Sequence, residues 1–202
     1  TIFRIYNFSY IWIFSMEKTL EQHPSSCIKV VLFGPESTGK TTLSKALADF
    51  YDTTWVAEFA REYLQNKWDQ EQKTCECSDL LPIAVGQMEL ENAAAKQTNN
   101  LLFCDTNLLE TKVYSEIYYE GYCDPTIDFF AKNNCYNLHF LCDIDVPWEA
   151  DDLRDKPHER KKMFLAFEDA LKTLNLPYVV LSGSKSVRLK TAVNHVNKLL
   201  KQ

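Results

Sequence analysis

The sequence predicts a doubly wound α/β domain, with about five parallel strands and helices on both faces. Two observations carry that prediction. Short, unbroken apolar runs recur along the chain, as strands buried on both faces require, and they alternate with longer stretches of helical period. A glycine-bearing loop, GPESTGKT, separates the first such run from the first helix. With 202 residues, the chain has room for one domain of this kind and its own core, not for two.

Taken in order, CIKVVLF at 27–33 is the first strand, and an amphipathic helix follows over about 40–51. TTWVAE at 53–58 is the second strand. FAREYLQNKW continues it as a helix until a polar stretch with Cys75, Cys77 and Ser78 breaks the pattern. Residues 79–98 predict a helix, with Asp79 as its N-cap and Pro82 tolerated in the first turn. LLFCD at 101–105 is the third strand, and a helix is expected over 108–119. Asp124 with Pro125 opens another helix, running to about residue 133. LHFLCDI and LPYVVL are the fourth and fifth strands, with helices between and after them. No internal repeat, low-complexity tract or linker interrupts residues 27–202, which are read as the domain.

Residues 1–26 are read as a leader, disordered or, up to Ser15, upstream codons included ahead of Met16. The aromatic run 1–15 carries Arg4, Asn7 and Ser9 and falls short of the roughly 20 residues of a spanning helix. A net charge of −6, from 22 basic and 28 acidic residues, provides no broad footprint for nucleic acid or an anionic membrane. Neither partner is expected. Seven cysteines form no repeating frame, and Cys104 and Cys142 sit inside apolar runs, so the reducing cytoplasm is the expected compartment. Cys75 and Cys77 lack a second pair at zinc spacing, so a surface loop is the better reading.

The loop matches G-x-x-x-x-G-K-[ST], placed between strand and helix as a P-loop NTPase-type phosphate site must be. Gly34 and Gly39 let the backbone curl around Pro35, Glu36, Ser37 and Thr38, so that N–H groups and the helix start, through Thr42, face a phosphate. Lys40 adds a point charge on the outer phosphates, and Thr41 supplies a hydroxyl for Mg2+. ATP is the default nucleotide, with adenine contacts expected from the loop 182–188. Asn66, Lys67 and Asp69 form N-K-x-D, but they end a helix after the second strand and no D-x-x-G accompanies them, so a GTPase is not indicated.

Asp105 closes the third strand beside the loop, where it can orient Mg2+ or accept a proton from an attacking hydroxyl; the sequence leaves both roles open. Glu58 closes the second strand with Arg61 one helical turn on, a pair suited to holding a hydroxylated acceptor. Between the fourth strand and the next helix, Arg154, Lys156, Arg160, Lys161 and Lys162 form a basic lid able to bring guanidinium groups to the transferring phosphoryl.

The segments VVLFGPESTGKTTLSKALA, AEFARE, AVGQ, CDTNLLETKVYSEIYY, CDIDVPWEADDLRD and ER resemble the ribosylnicotinamide kinase domain of NadR-type bacterial proteins, over about residues 28–199. The resemblance implies transfer of the ATP γ-phosphoryl to the 5'-hydroxyl of nicotinamide riboside, giving nicotinamide mononucleotide. It also implies that residues 34–42 bind ATP and that Asp105 stands at the acceptor hydroxyl and metal. Glu58 and Arg61 would line the riboside pocket, Asn107 would lie near the ribose, and Arg154 and Arg160 would belong to the lid. The H-x-G-H motif of the family's adenylyltransferase domain is absent. Where some relatives have tryptophan before the second-strand glutamate, this chain has Ala57, with Trp55 two residues earlier. Phe59, Tyr63, Tyr118 and Trp148 are candidate aromatic walls for a pyridinium. The alternatives are a P-loop kinase for a deoxynucleoside or other small hydroxylated metabolite, and a non-catalytic sensor of ATP or a nicotinamide nucleotide. Oligomeric state is not legible.

Overall fold

The computed structural model describes residues 20–98 and 100–201. Five parallel strands, β1 (Ile28–Phe33), β2 (Thr54–Val56), β3 (Leu101–Asp105), β4 (Leu138–Cys142) and β5 (Tyr178–Leu181), pair in the order β2-β3-β1-β4-β5. The helices are α1 (Lys40–Tyr51), α2 (Phe59–Glu71), α3 (Leu80–Gln97), α4 (Leu108–Tyr118), α5 (Pro125–Asn133), α6 (Arg160–Thr173) and α7 (Lys185–Leu199). Both β3 and β4 are buried along their whole length, which is why they read as continuous apolar runs rather than alternating ones.

Successive strand side chains face opposite layers. Val31, Phe33, Cys104 and Leu141 pack under α3, α4, α5 and α6 through Met88, Leu109, Ile127 and Phe167. Val30, Leu32, Phe103 and Phe140 pack under α1 and α7 through Leu43, Leu47, Ala192 and Val196. Each fully buried side chain of this size contributes about 1.5–3 kcal/mol. The order of the sheet places β1 between β3 and β4, with Leu32 in register with Asp105 and Phe33 with Leu141. The loop after β1 thus starts beside the acid that ends β3, at the carboxyl edge where open parallel sheets bind ligands.

Three expectations shift. The second strand stops at Val56, so Glu58 does not close it but sits ahead of α2 in extended backbone. Asp79 does not cap α3. It belongs to a 3-10 turn, Cys77–Asp79, where its carboxylate accepts from the Glu76 N–H at 2.7 Å and from Lys67 at 2.6 Å. The domain boundary moves towards the N-terminus: Leu20 is fully buried, the His23 N–H donates to Asn92 Oδ1 at 2.8 Å, and Gln22 donates to Glu91 at 2.7 Å. Residues 20–26 are therefore packed on the domain rather than part of a loose leader, while residues 1–15 lie outside the described residues. Among the described residues, no helix is long and apolar enough to cross a membrane.

Candidate active site

Gly34 has φ 130, and a Cβ there would come within 3.1 Å of the Cys142 carbonyl oxygen. Gly39 has φ 82 at the N-cap of α1, a left-handed conformation that any other residue enters at a cost. Helix α1 then starts at Lys40, leaving the N–H groups of its first turn without helical partners at the cavity floor. Several long-range bonds hold the loop. Buried Arg188 donates to Thr38 O at 2.7 Å and to Asp143 O at 2.9 Å, and it pairs with Asp145. Arg160 donates to Ser37 O at 3.1 Å and to Val146 O at 2.8 Å, and the Glu149 N–H reaches Ser37 Oγ at 2.8 Å.

Lys40 is 7% exposed and donates to Gly34 O at 2.7 Å and Pro35 O at 3.1 Å, with Glu110 Oε1 at 3.1 Å. Burial alone would lower the Lys40 pKa, but Glu110, Glu58 and Asp105 override it and raise it. Asp105 is fully buried, and neither of its carboxylate oxygens has a hydrogen-bond partner. Burial and the neighbouring Glu58 push it up to about 6, against the pull of Lys40 and of the nearby Thr41 hydroxyl, which lies close enough to favour the charged form without completing a hydrogen bond of good geometry. Burial likewise raises Glu110 to about 8 and Glu36 to about 7, the latter with help from Asp155. Three carboxyls around one lysine are thus all raised by burial, a pattern that clusters at functional sites.

These groups line one cavity of about 1150 Å³, which joins the phosphate loop and Gly183–Leu189 side to a second side formed by Glu58, Arg61, Leu64, Ile83, Tyr114 and Tyr119. Of the expected residues, Glu36 to Thr42, Glu58, Arg61, Asp105 and Arg154 meet in it. Arg61 and Arg154 share Asp151, at 2.7 and 3.2 Å, so the segment before α6 is tied to α2.

Three assignments are corrected. Asn107 is 2% exposed and does not line the cavity; it caps α4 by accepting from the Glu110 N–H at 3.1 Å. Arg160 does not line it either; its Nη1 and Nη2 donate to the carbonyls that pin the loop. Of the candidate aromatic walls, only Tyr118 lines the cavity. Lys156 sits 4.7 Å over the Tyr118 ring, so one face is already taken. Tyr63 bonds Asp79, and Trp148 lies against Arg160. The N-K-x-D lysine, Lys67, is consumed by Glu76 and Asp79. Among the described residues, no group of three or more His, Cys, Asp or Glu side chains is placed to hold a metal ion.

Glu110, Arg188 and Gln87 lie in segments that the sequence singles out, but no individual role for them is legible there. Asn107-x-x-Glu110 reads locally as a capping box, and nothing nearby signals that the glutamate turns to Lys40 instead.

The AAA domain family matches residues 29–188. The trifunctional NAD biosynthesis/regulator protein NadR of Salmonella typhimurium is 30% identical over 152 residues, 74% of this chain and 37% of the relative's length. This chain therefore spans well under half of that protein. Among solved structures, a NadR protein in complex with NAD and AMP-PNP aligns with TM-score 0.72 at 21% identity, covering 88% of this chain and 50% of that one. A NadR protein in complex with NR aligns with TM-score 0.71 at 20% identity, covering 86% and 50%. Together with the phosphate loop, the sheet order and the acid at the end of β3, the match over residues 29–188 means that this chain belongs to the AAA domain family.

Proposed function

We propose that the protein is an ATP-dependent kinase that transfers the γ-phosphoryl group to the 5'-hydroxyl of nicotinamide riboside, forming nicotinamide mononucleotide. The observation that carries this reading is Asp105: a fully buried carboxylate, without hydrogen-bond partners, in the same cavity as the phosphate-loop lysine and Glu58. A buried charge left unpaired is costly unless a ligand completes it. The similarity to NadR proteins, one of them crystallised with NR, supports the choice of acceptor.

In this reading, the N–H groups of residues 36–42 cradle the phosphates and Lys40 exchanges Glu110 for their outer oxygens. The orphaned Asp105 oxygens and the Thr41 hydroxyl are hard oxygen donors that fit Mg2+, which would neutralise phosphate charge when bound. The 5'-oxygen attacks the γ-phosphorus as the bond to the β–γ bridging oxygen breaks. Asp105 or Glu58 takes the hydroxyl proton. Arg154 approaches from the lid, and Arg61 holds the lid strap through Asp151. Glu58, Asp152 and Asp155 around the cavity are acidic groups that favour a cationic acceptor. The free thiols suit a reducing compartment such as the cytoplasm.

A radiolabelled phosphate-transfer screen over nicotinamide riboside, deoxynucleosides and other hydroxylated metabolites tests the proposal. Transfer to nicotinamide riboside is expected, falling by about two orders of magnitude or more in Lys40→Ala and Asp105→Ala. Selective transfer to thymidine would reassign the acceptor, and tight ligand binding with negligible turnover would make the protein a sensor.

A further inference from the structure

Between the end of β2 and the start of α2, Ala57 and Glu58 belong to neither ladder nor helix. Glu58 stands at the N-cap of α2 yet makes no capping hydrogen bond with its side chain. The first N–H groups of a helix need some partner, and no residue of α2 is fully buried. The partner comes from α3. Gln87, 2% exposed, accepts from the Phe59 N–H through Oε1 at 2.8 Å and donates from Nε2 to the Ala57 carbonyl at 3.2 Å. Phe59 N–H can only donate and Ala57 O can only accept, so the amide has one sensible orientation. Its two bonds bracket Glu58 on either side.

The residue before it completes the contact. A Cβ on Gly86 would lie 2.3–2.5 Å from the Phe59 ring, so only glycine lets α3 approach the start of α2 this closely. Glu58, freed from capping, lines the cavity beside Lys40 and Asp105.

We infer that Gln87, seated by Gly86, is a positioning residue that fixes the backbone on both sides of Glu58 and so aims that carboxylate at the reacting hydroxyl. The clamp itself stands on the hydrogen bonds; its effect on turnover rests on the proposed kinase reading. Two measurements on the full chain separate them. Amide hydrogen exchange at Phe59 is expected to speed up about tenfold or more in Gln87→Leu, since no other acceptor protects that group; unchanged exchange would overturn the clamp whatever the substrate.

The second measurement is a double-mutant cycle on ATP-dependent phosphorylation of nicotinamide riboside, or of whichever acceptor the screen selects. Gln87→Leu is expected to lower kcat/KM about 30- to 100-fold with the KM for ATP within about threefold, and to add less than about threefold in a Glu58→Ala background. An equal loss in both backgrounds would mean that Gln87 contacts the acceptor itself or serves only stability, and would sink the inference. Should Gln87→Leu fail to fold, Gln87→Glu keeps the acceptor for Phe59 and loses the donor to Ala57. A loss of about tenfold that disappears without Glu58 is then expected, and wild-type turnover would refute the inference.

Discussion

Lys40 and its three carboxyl neighbours show how one residue's surroundings decide its chemistry. Glu110 and two loop carbonyls hold the ammonium, while burial lets Glu36, Asp105 and Glu110 keep protons to higher pH than they would in water. Those shifts predict a pH dependence of stability. A carboxyl raised on folding, as Glu36 is from 4.5 to about 7, binds more protons folded than unfolded inside that window, so stability falls as pH rises through it. Buried His139, lowered from 6.5 to about 4, acts oppositely, adding stability as pH rises between those values. Above about pH 6.5 only the carboxyl effect remains. The urea midpoint is therefore expected to fall between about pH 6.5 and 8, less steeply in Glu36→Gln; an identical slope in the variant would show that Glu36 is not the titrating group.

At the level of elements, the caps and tethers set where each helix presents its residues. Asp124 caps α5 with Pro125 behind it, as its sequence indicates. Asn107 caps α4, which turns Glu110 towards Lys40. Asn107→Ala is expected to cost about 1 kcal/mol in chemical unfolding while leaving the acceptor KM within about twofold; a large rise in KM with unchanged stability would return Asn107 to the ribose. The segment 151–159 is held at its far end by Arg160, which bonds Ser37 and Val146. In Arg160→Ala, trypsin is expected to cut within residues 151–159 several times faster, about fivefold, because local opening costs less. Unchanged cleavage would mean the tether contributes nothing.

Across the molecule, the sheet is tied to its covering helices by a buried ionic link as well as by apolar packing. Lys29 on β1 meets Glu91 on α3 at 2.9 Å, and Tyr136 and Gln22 satisfy the remaining carboxylate contacts. Lys29→Met leaves Glu91 buried without its cation and is expected to cost about 3–5 kcal/mol. Lys29→Met with Glu91→Leu is expected to recover most of it. A small loss in the single variant, read by thermal unfolding, would show that Glu91 finds water or takes a proton. The sequence by itself determined the strands, the helices they alternate with, the phosphate loop and the acid at the end of β3, because apolar runs, helical period and an eight-residue motif are written in consecutive residues. Only the tertiary structure decided that Asp105 lies level with Leu32, that Glu110 reaches Gly34 across 76 positions, that Gln87 brackets Glu58 from 28 positions beyond Phe59, and that Arg188 holds Thr38 from 150 positions away. Such contacts arise from the order in which strands pair and helices pack, and that order leaves no mark on the residues next to each partner.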